Sequence, residues 1–197
     1  MDIFFISPVR KSNPAIAKWC KKYVAKMEKA GHQIHWPIRD TDQKDPVGIR
    51  ICDTNLGKIF ERPRIDVYYL PDSTGIHFDL GAVYMLKFLG YEKEVVFVKG
   101  SKEDFKAKYV SKETFRSVLQ AGRISIRYDK QDMALHFMLG AAYVLIRILG
   151  HEKKVVLANR DDFRDEFAFE NNEFIVKGGK SYLNVLNYLD KTTGGEK

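Results

Sequence analysis

The stretch that most constrains this chain runs from Ile65 to Val98. A β-branched and aromatic run, Ile65 to Leu70, breaks at Pro71-Asp72-Ser73-Thr74-Gly75, and an apolar helical pattern follows from about His77 to Leu89. Gly90 closes that helix and Val95 to Val98 reads as a second strand. Strand, glycine-bearing turn, helix and strand in this order predict a βαβ unit, and with it an α/β chain built on a parallel sheet. Ligands of open α/β sheets bind at the carboxyl ends of the strands, where such turns lie. A hydroxyl-rich turn at a helix N-terminus also favours anions, through its open N–H groups and the helix dipole. Asp79 is expected in the first turn of this helix and is the leading candidate for chemistry.

The same pattern returns later. IHFDLGAVYMLKFLGYEKEVVFV is echoed by LHFMLGAAYVLIRILGHEKKVVLA with one residue inserted. His77 matches His136, Phe78 Phe137, Gly81 Gly140, Tyr84 Tyr143 and Gly90 Gly150, and Glu92-Lys93 matches Glu152-Lys153. A strand, Ile124 to Tyr128, precedes the second helix as Ile65 to Leu70 precedes the first. Two copies suggest duplication of a strand–helix–strand piece inside one sheet rather than a solenoid, which needs at least three. The repeat acts as an internal control. Asp79 is replaced by Met138, and Ser73-Thr74-Gly75 by Asp132-Met133-Ala134, so shared residues read as scaffold and unshared ones as chemistry. By that reasoning His77 and Tyr84 are structural.

A chain of 197 residues is expected to form one α/β domain over 1–197, in three parts: 1–98, the second copy at 99–160, and a C-terminal strand and helix at 161–197. Ile3 to Ile6 reads as the first strand. Asn13 and Pro14 open a helix that Gly31 ends, His32 to Ile38 is a second strand, and Ile49 to Phe60 a helix with Asp53 and Asn55 on its polar face. The polar stretch 39–48 is long enough to suggest function or disorder. In the tail, Glu173 to Val176 reads as a strand, Ser181 to Leu189 as a helix, and residues 194–197 as frayed. No apolar run reaches membrane-spanning length, and the N-terminus lacks the features of a signal peptide. Two separated cysteines give neither a disulfide framework nor a metal spacing, so a cytoplasmic setting, no metal and no cofactor are expected. The formal charge of +7 is spread among acidic residues, so no nucleic-acid partner is expected. The Phe78-to-Leu89 helix is apolar nearly all round, which predicts a homodimer or higher homo-oligomer with this helix near the subunit contact.

Three motifs in order carry a resemblance over roughly residues 3 to 98. FFISPVR opens the chain, Asp53, Asn55 and Leu56 form an Asp-x-Asn-Leu helix, and a strand ends in Pro-Asp-Ser-Thr-Gly-x-x-x-Asp-Leu-Gly-Ala. Together they resemble the nucleoside 2-deoxyribosyltransferase family, which includes the 2′-deoxynucleoside 5′-phosphate N-hydrolases. The resemblance implies a flavodoxin- or Rossmann-like three-layer sandwich. It also implies cleavage or exchange of the N-glycosidic bond of a nucleoside or its 5′-monophosphate by a carboxylate nucleophile. Asp79 falls where the family has its nucleophile, although the family residue there is Glu. Ser73 matches a serine that binds the 5′-phosphate, Ser7 and Arg10 lie in the loop lining the sugar-phosphate site, and Asp53 matches an acidic residue near sugar or base. Glycosidic cleavage passes through an oxocarbenium-like state that an ionised carboxylate stabilises, and the leaving base needs a proton, for which Asp53 and Asp72 are candidates. Thr74, Gly75 and Asn55 complete the expected binding set, and Phe4, Phe5 or Trp36 could stack on the base. The alternative is a nucleotide-binding or sensing protein of the same fold without catalysis, suggested by the shorter Asp.

Overall fold

The computed structural model describes residues 1–8, 13–45, 47–170, 173–176 and 182–193. Its central sheet has four parallel strands in the order β2-β1-β3-β4, with β1 at Asp2–Ile6, β2 at Gln33–His35, β3 at Arg64–Tyr68 and β4 at Glu94–Lys99. Alternate residues of β1 serve opposite layers. Ile3 and Phe5 pack with Cys20 and Val24 of helix α1 (Pro14–Lys29), whereas Phe4 and Ile6 pack with α3 (Ile49–Glu61) and α4 (Thr74–Phe88). Both faces are covered, which is why the strands are apolar throughout rather than alternating. This is the expected α/β three-layer sandwich with a parallel central sheet.

Several boundaries differ from expectation for local reasons. The strand expected over 32–38 stops at His35, because Pro37 lacks an N–H and instead opens the short helix α2 (Pro37–Asp40). The polar stretch after it is a built connection: the buried Asp45 carboxylate accepts from the N–H groups of Val47 and Arg50 at the start of α3. The Thr41 hydroxyl meanwhile donates to Asn55 Oδ1 at 2.8 Å.

The second copy corrects the sequence reading more deeply. It does not join the central sheet. Strands β5 (Arg123–Ile126) and β6 (Lys154–Leu157) form their own two-stranded parallel sheet. Helices α5 (Lys102–Tyr109) and α6 (Lys112–Gln120) precede it, and α7 (Met133–Tyr143) links its strands. An antiparallel hairpin, β7 (Phe167–Glu170) with β8 (Glu173–Val176), and helix α8 (Tyr182–Thr192) follow. Helix α4 has the sheet on one side and α7 on the other. That contact is reciprocal: a Cβ on Gly81 would stand 1.8 Å from the Phe137 carbonyl oxygen, and one on Gly140 would stand 1.9 Å from that of Phe78. The apolar face expected at a subunit contact is thus covered within one chain.

The pseudo-symmetry runs further than the matched segment. Buried Lys93 donates to the carbonyls of Phe60 and Arg62, and buried Lys153 donates to those of Leu119 and Ala121, the equivalent positions. The inserted residue appears as a π-helical turn, Val144–Ile148, at the end of α7, the usual way a helix absorbs one extra residue.

Gly81→Val should remove about 3 kcal/mol of stability or more, since backbone on both sides leaves nothing to yield. Gly57→Ala, in the interior of α3 with open space around it, should stabilise by about 0.5–1 kcal/mol. Urea unfolding curves of both variants against the native chain check the pair.

Candidate active site

Helix α4 begins at Thr74, three residues earlier than its apolar pattern suggests, so Asp79 stands in its second turn rather than its first. The helix dipole acts mainly on the first turn, which weakens the plain reading of Asp79 as a dipole complement. Neighbouring residues of α4 are committed elsewhere. His77 is buried against Tyr69, Phe105 and Tyr109, with its Nδ1 hydrogen-bonded to the Ser73 carbonyl at 2.9 Å. Phe78 packs on Tyr143 and Tyr182. His136 repeats the His77 arrangement on the Asp132 carbonyl and beside Tyr128, which bears out the structural reading of both histidines.

Asp79 points along the remaining stripe, shared with Gly75, Val83 and Leu86. It keeps some open surface. No hydrogen bond or ion pair reaches its carboxyl among the described residues, and loss of hydration alone pushes it up to about 7 from an ordinary 3.8. A carboxyl raised by desolvation, on the helix that follows β3, is a candidate for chemistry. The matched Met138 is likewise partly exposed and carries no charge.

The N-termini of the two matched helices also differ. Asp132 caps α7, accepting from Ala134 N and Leu135 N at 2.8 and 3.1 Å. Ser73 is the N-cap of α4, yet its side chain makes no capping hydrogen bond. Thr74 and Gly75 form the first turn behind it, and Asp72 is exposed in the preceding turn. Ser73, Thr74, Gly75 and Asp79 therefore lie together on one helix start.

The other candidates do not gather there. Phe4 is fully buried and stacked on His35 at 5.3 Å, so it offers no face to a base; the layer between β1 and α3 claims it. Phe5 is buried in the opposite layer, and the Trp36 indole N–H donates to Ser7 Oγ at 2.8 Å. Ser7 is thus buried and turned toward α1, away from the α4 layer. Asn55 is buried under Thr41 instead of lying on a polar face. Asp53 accepts from Tyr143 Oη at 2.8 Å and from Arg147 Nη2 at 2.7 Å, which ties α3 to the second copy and engages its carboxylate within the fold. Arg10 lies outside the described residues, as do Ser181 and 194–197. Among the described residues no His, Cys, Asp and Glu cluster could hold a metal, and no helix is long and apolar enough to cross a membrane. Sequence reasoning missed Tyr143 and Arg147 as partners of Asp53. The insertion that carries Arg147 was the available signal.

No family model, curated protein or solved structure matches the chain.

The raised carboxyl of Asp79 has a definite sign for stability. Below about 4 it is protonated folded or unfolded and its contribution is fully present; that contribution is lost as pH rises toward and through about 7, where only the folded state resists ionisation. Asp79→Asn should therefore stabilise the chain at pH 8 by on the order of 2–4 kcal/mol, with the gain vanishing near pH 4. Denaturant midpoints across that range, together with the carbon-detected titration of Asp79, check it.

Proposed function

We propose that the chain breaks or exchanges the N-glycosidic bond of a (deoxy)nucleoside or its 5′-monophosphate, with Asp79 as nucleophile. The observation that carries this reading is the Asp79 carboxyl itself: partly exposed, raised by loss of hydration and without a partner among the described residues, in a position where the second copy has Met138. Holding such a group costs stability, and the matched helix forms without one. The motifs shared with the deoxyribosyltransferase family give the chemistry a substrate class.

In this reading the ionised carboxylate attacks the anomeric carbon as the bond to the base nitrogen breaks, and the bonding pair leaves with the base. A proton from water or from Asp72 neutralises the departing nitrogen. The resulting sugar ester is resolved by water, which gives hydrolysis, or by a second base, which gives transfer; either regenerates the carboxylate. The uncapped N–H groups at the start of α4, with the Ser73 hydroxyl, suit a 5′-phosphate or 5′-hydroxyl. Because the nucleophile must be ionised, kcat/KM rises with pH through about 7, the region to which desolvation moves Asp79.

Incubation with dAMP, dGMP, dCMP and dTMP and the parent nucleosides, with and without an acceptor base, should release or exchange free base, read by chromatography. Asp79→Asn should lower the rate at least about a thousandfold, and Met138→Ala should leave it unchanged. Saturable nucleotide binding with no base released from any substrate would instead favour the non-catalytic reading, for which the shorter Asp is the motive.

A further inference from the structure

Counted back from the matched histidines His77 and His136, Arg123-Ile124-Ser125-Ile126 of β5 fall on Arg64-Ile65-Asp66-Val67 of β3. Strand β3 is paired along both edges, with β4 on one side and β1 on the other, whereas β5 is paired with β6 alone. Among the described residues the second copy thus has no counterpart of β1. Burial shows the difference. Ile65 and Asp66 are fully buried, while the matched Ile124 is partly exposed and Ser125 is exposed.

The two edges of the small sheet are finished differently. Lys154 N and Ala158 N donate to the carbonyls of Gly122 and Ile126, so alternate residues face the neighbouring strand and those between them face outward. On β6 the outward groups are closed by side chains at the end of α8: Val155 N donates to Thr193 Oγ1 at 2.8 Å and Leu157 N to Asp190 Oδ2 at 3.2 Å. On β5 the outward groups belong to Arg123 and Ser125, the matches of Arg64 and Asp66, and no hydrogen bond takes them up among the described residues. Neither a proline nor a bulge blunts this edge. It is basic. Arg123 and Arg127 are exposed, Lys154 stands across from Arg123 in register, and the acidic contact there, Asp162 with Arg127 at 3.5 Å, joins two exposed side chains. A second copy of β5 would bring further arginines to the same short edge, a like-charge contact that disfavours self-pairing.

We propose that the outer edge of β5 is a docking site for an acidic, extended segment of another protein, which adds as a third strand where β3 receives β1. The backbone of the segment takes up the N–H and C=O groups of Arg123 and Ser125. Glutamate or aspartate at alternate positions meets Arg123 and Arg127, and the apolar residues between them cover Ile124.

The probe is a blocked hexapeptide of alternating glutamate and valine, compared with its lysine counterpart and with a copy N-methylated at alternate residues. Added to the full chain, the glutamate peptide should slow amide hydrogen exchange at Arg123 and Ser125 by at least about tenfold, while Ile124 and Ile126, which face β6, stay unchanged. The lysine and N-methylated peptides should do neither. Ser125→Pro removes an outward N–H and no β5–β6 bond, a change that edge strands tolerate, and should weaken binding about tenfold. Should that variant melt early, Arg123→Glu combined with Arg127→Glu keeps the strand and should turn the preference toward the lysine peptide. No protection of Arg123 and Ser125, equal binding of the N-methylated peptide, or an unchanged preference after charge reversal overturns the proposal. Protection of the same amides by raised protein concentration alone overturns it in favour of pairing between copies.

Discussion

The structure depends on the contact between α4 and α7, where backbone meets backbone at two glycines. Gly81 lies against the Phe137 carbonyl and Gly140 against that of Phe78, closer than any side chain would permit. So near an approach needs glycine on both helices at matched places, and duplication supplies both at once. It also resolves a conflict in the chain. A helix apolar all round must be buried all round, and a four-stranded sheet covers only one side of α4. A second copy with the same helix covers the other. The price is a second sheet of only two strands, too small to stand alone, which leans on the first unit and on α8.

Symmetry at the centre makes the departures from it informative. The extra residue of the second copy becomes a π turn, and the side chain carried by that turn, Arg147, pairs with Asp53 of the first unit. Tyr143 gives the same carboxylate its hydroxyl, while its counterpart Tyr84 has a buried hydroxyl with no partner among the described residues. The equivalent of Asp53 in the second copy is Lys112, which cannot accept a hydrogen bond. The two halves thus meet through a symmetric apolar centre and an asymmetric polar link at Asp53. Asp79 and the uncapped start of α4 belong to that same asymmetric set.

Much of this architecture is legible in the residues. The βαβ rhythm, the buried strands and the duplicate all follow from hydrophobic period, turn chemistry and self-comparison, because these depend on local spacing. The side chains that leave the local frame were less legible. Phe4 and Ser7 sit in a motif suggestive of binding, yet which face of β1 each occupies, and what lies on it, depends on layers built from distant residues. Asp53 looked like a solvated or catalytic acid because Arg147 and Tyr143 are remote in sequence. The placement of the second copy was misread for a similar reason: a strand's pattern says that it will pair, and not with which edge.

The energetic asymmetry of Asp79 links fold to chemistry. Among the described residues the buried carboxylates are compensated: Asp66 by Tyr23 and Arg64, Asp45 by backbone N–H groups, Asp190 by Leu157 N and Arg160. Asp79 has no such partner among the described residues, so loss of hydration acts on it unopposed and pushes it up to about 7. A group so placed destabilises the folded state as it ionises, and a cation forming beside it would relieve that cost. An oxocarbenium-like sugar is such a cation, and it exists only on the way through the transition state. In the proposed reaction an uncompensated carboxylate would favour the transition state over the bound substrate, whereas a nearby arginine would engage the same interaction in the resting protein. In the proposed reaction, the absence of a partner at Asp79 among the described residues, costly for stability, is what suits it to the chemistry.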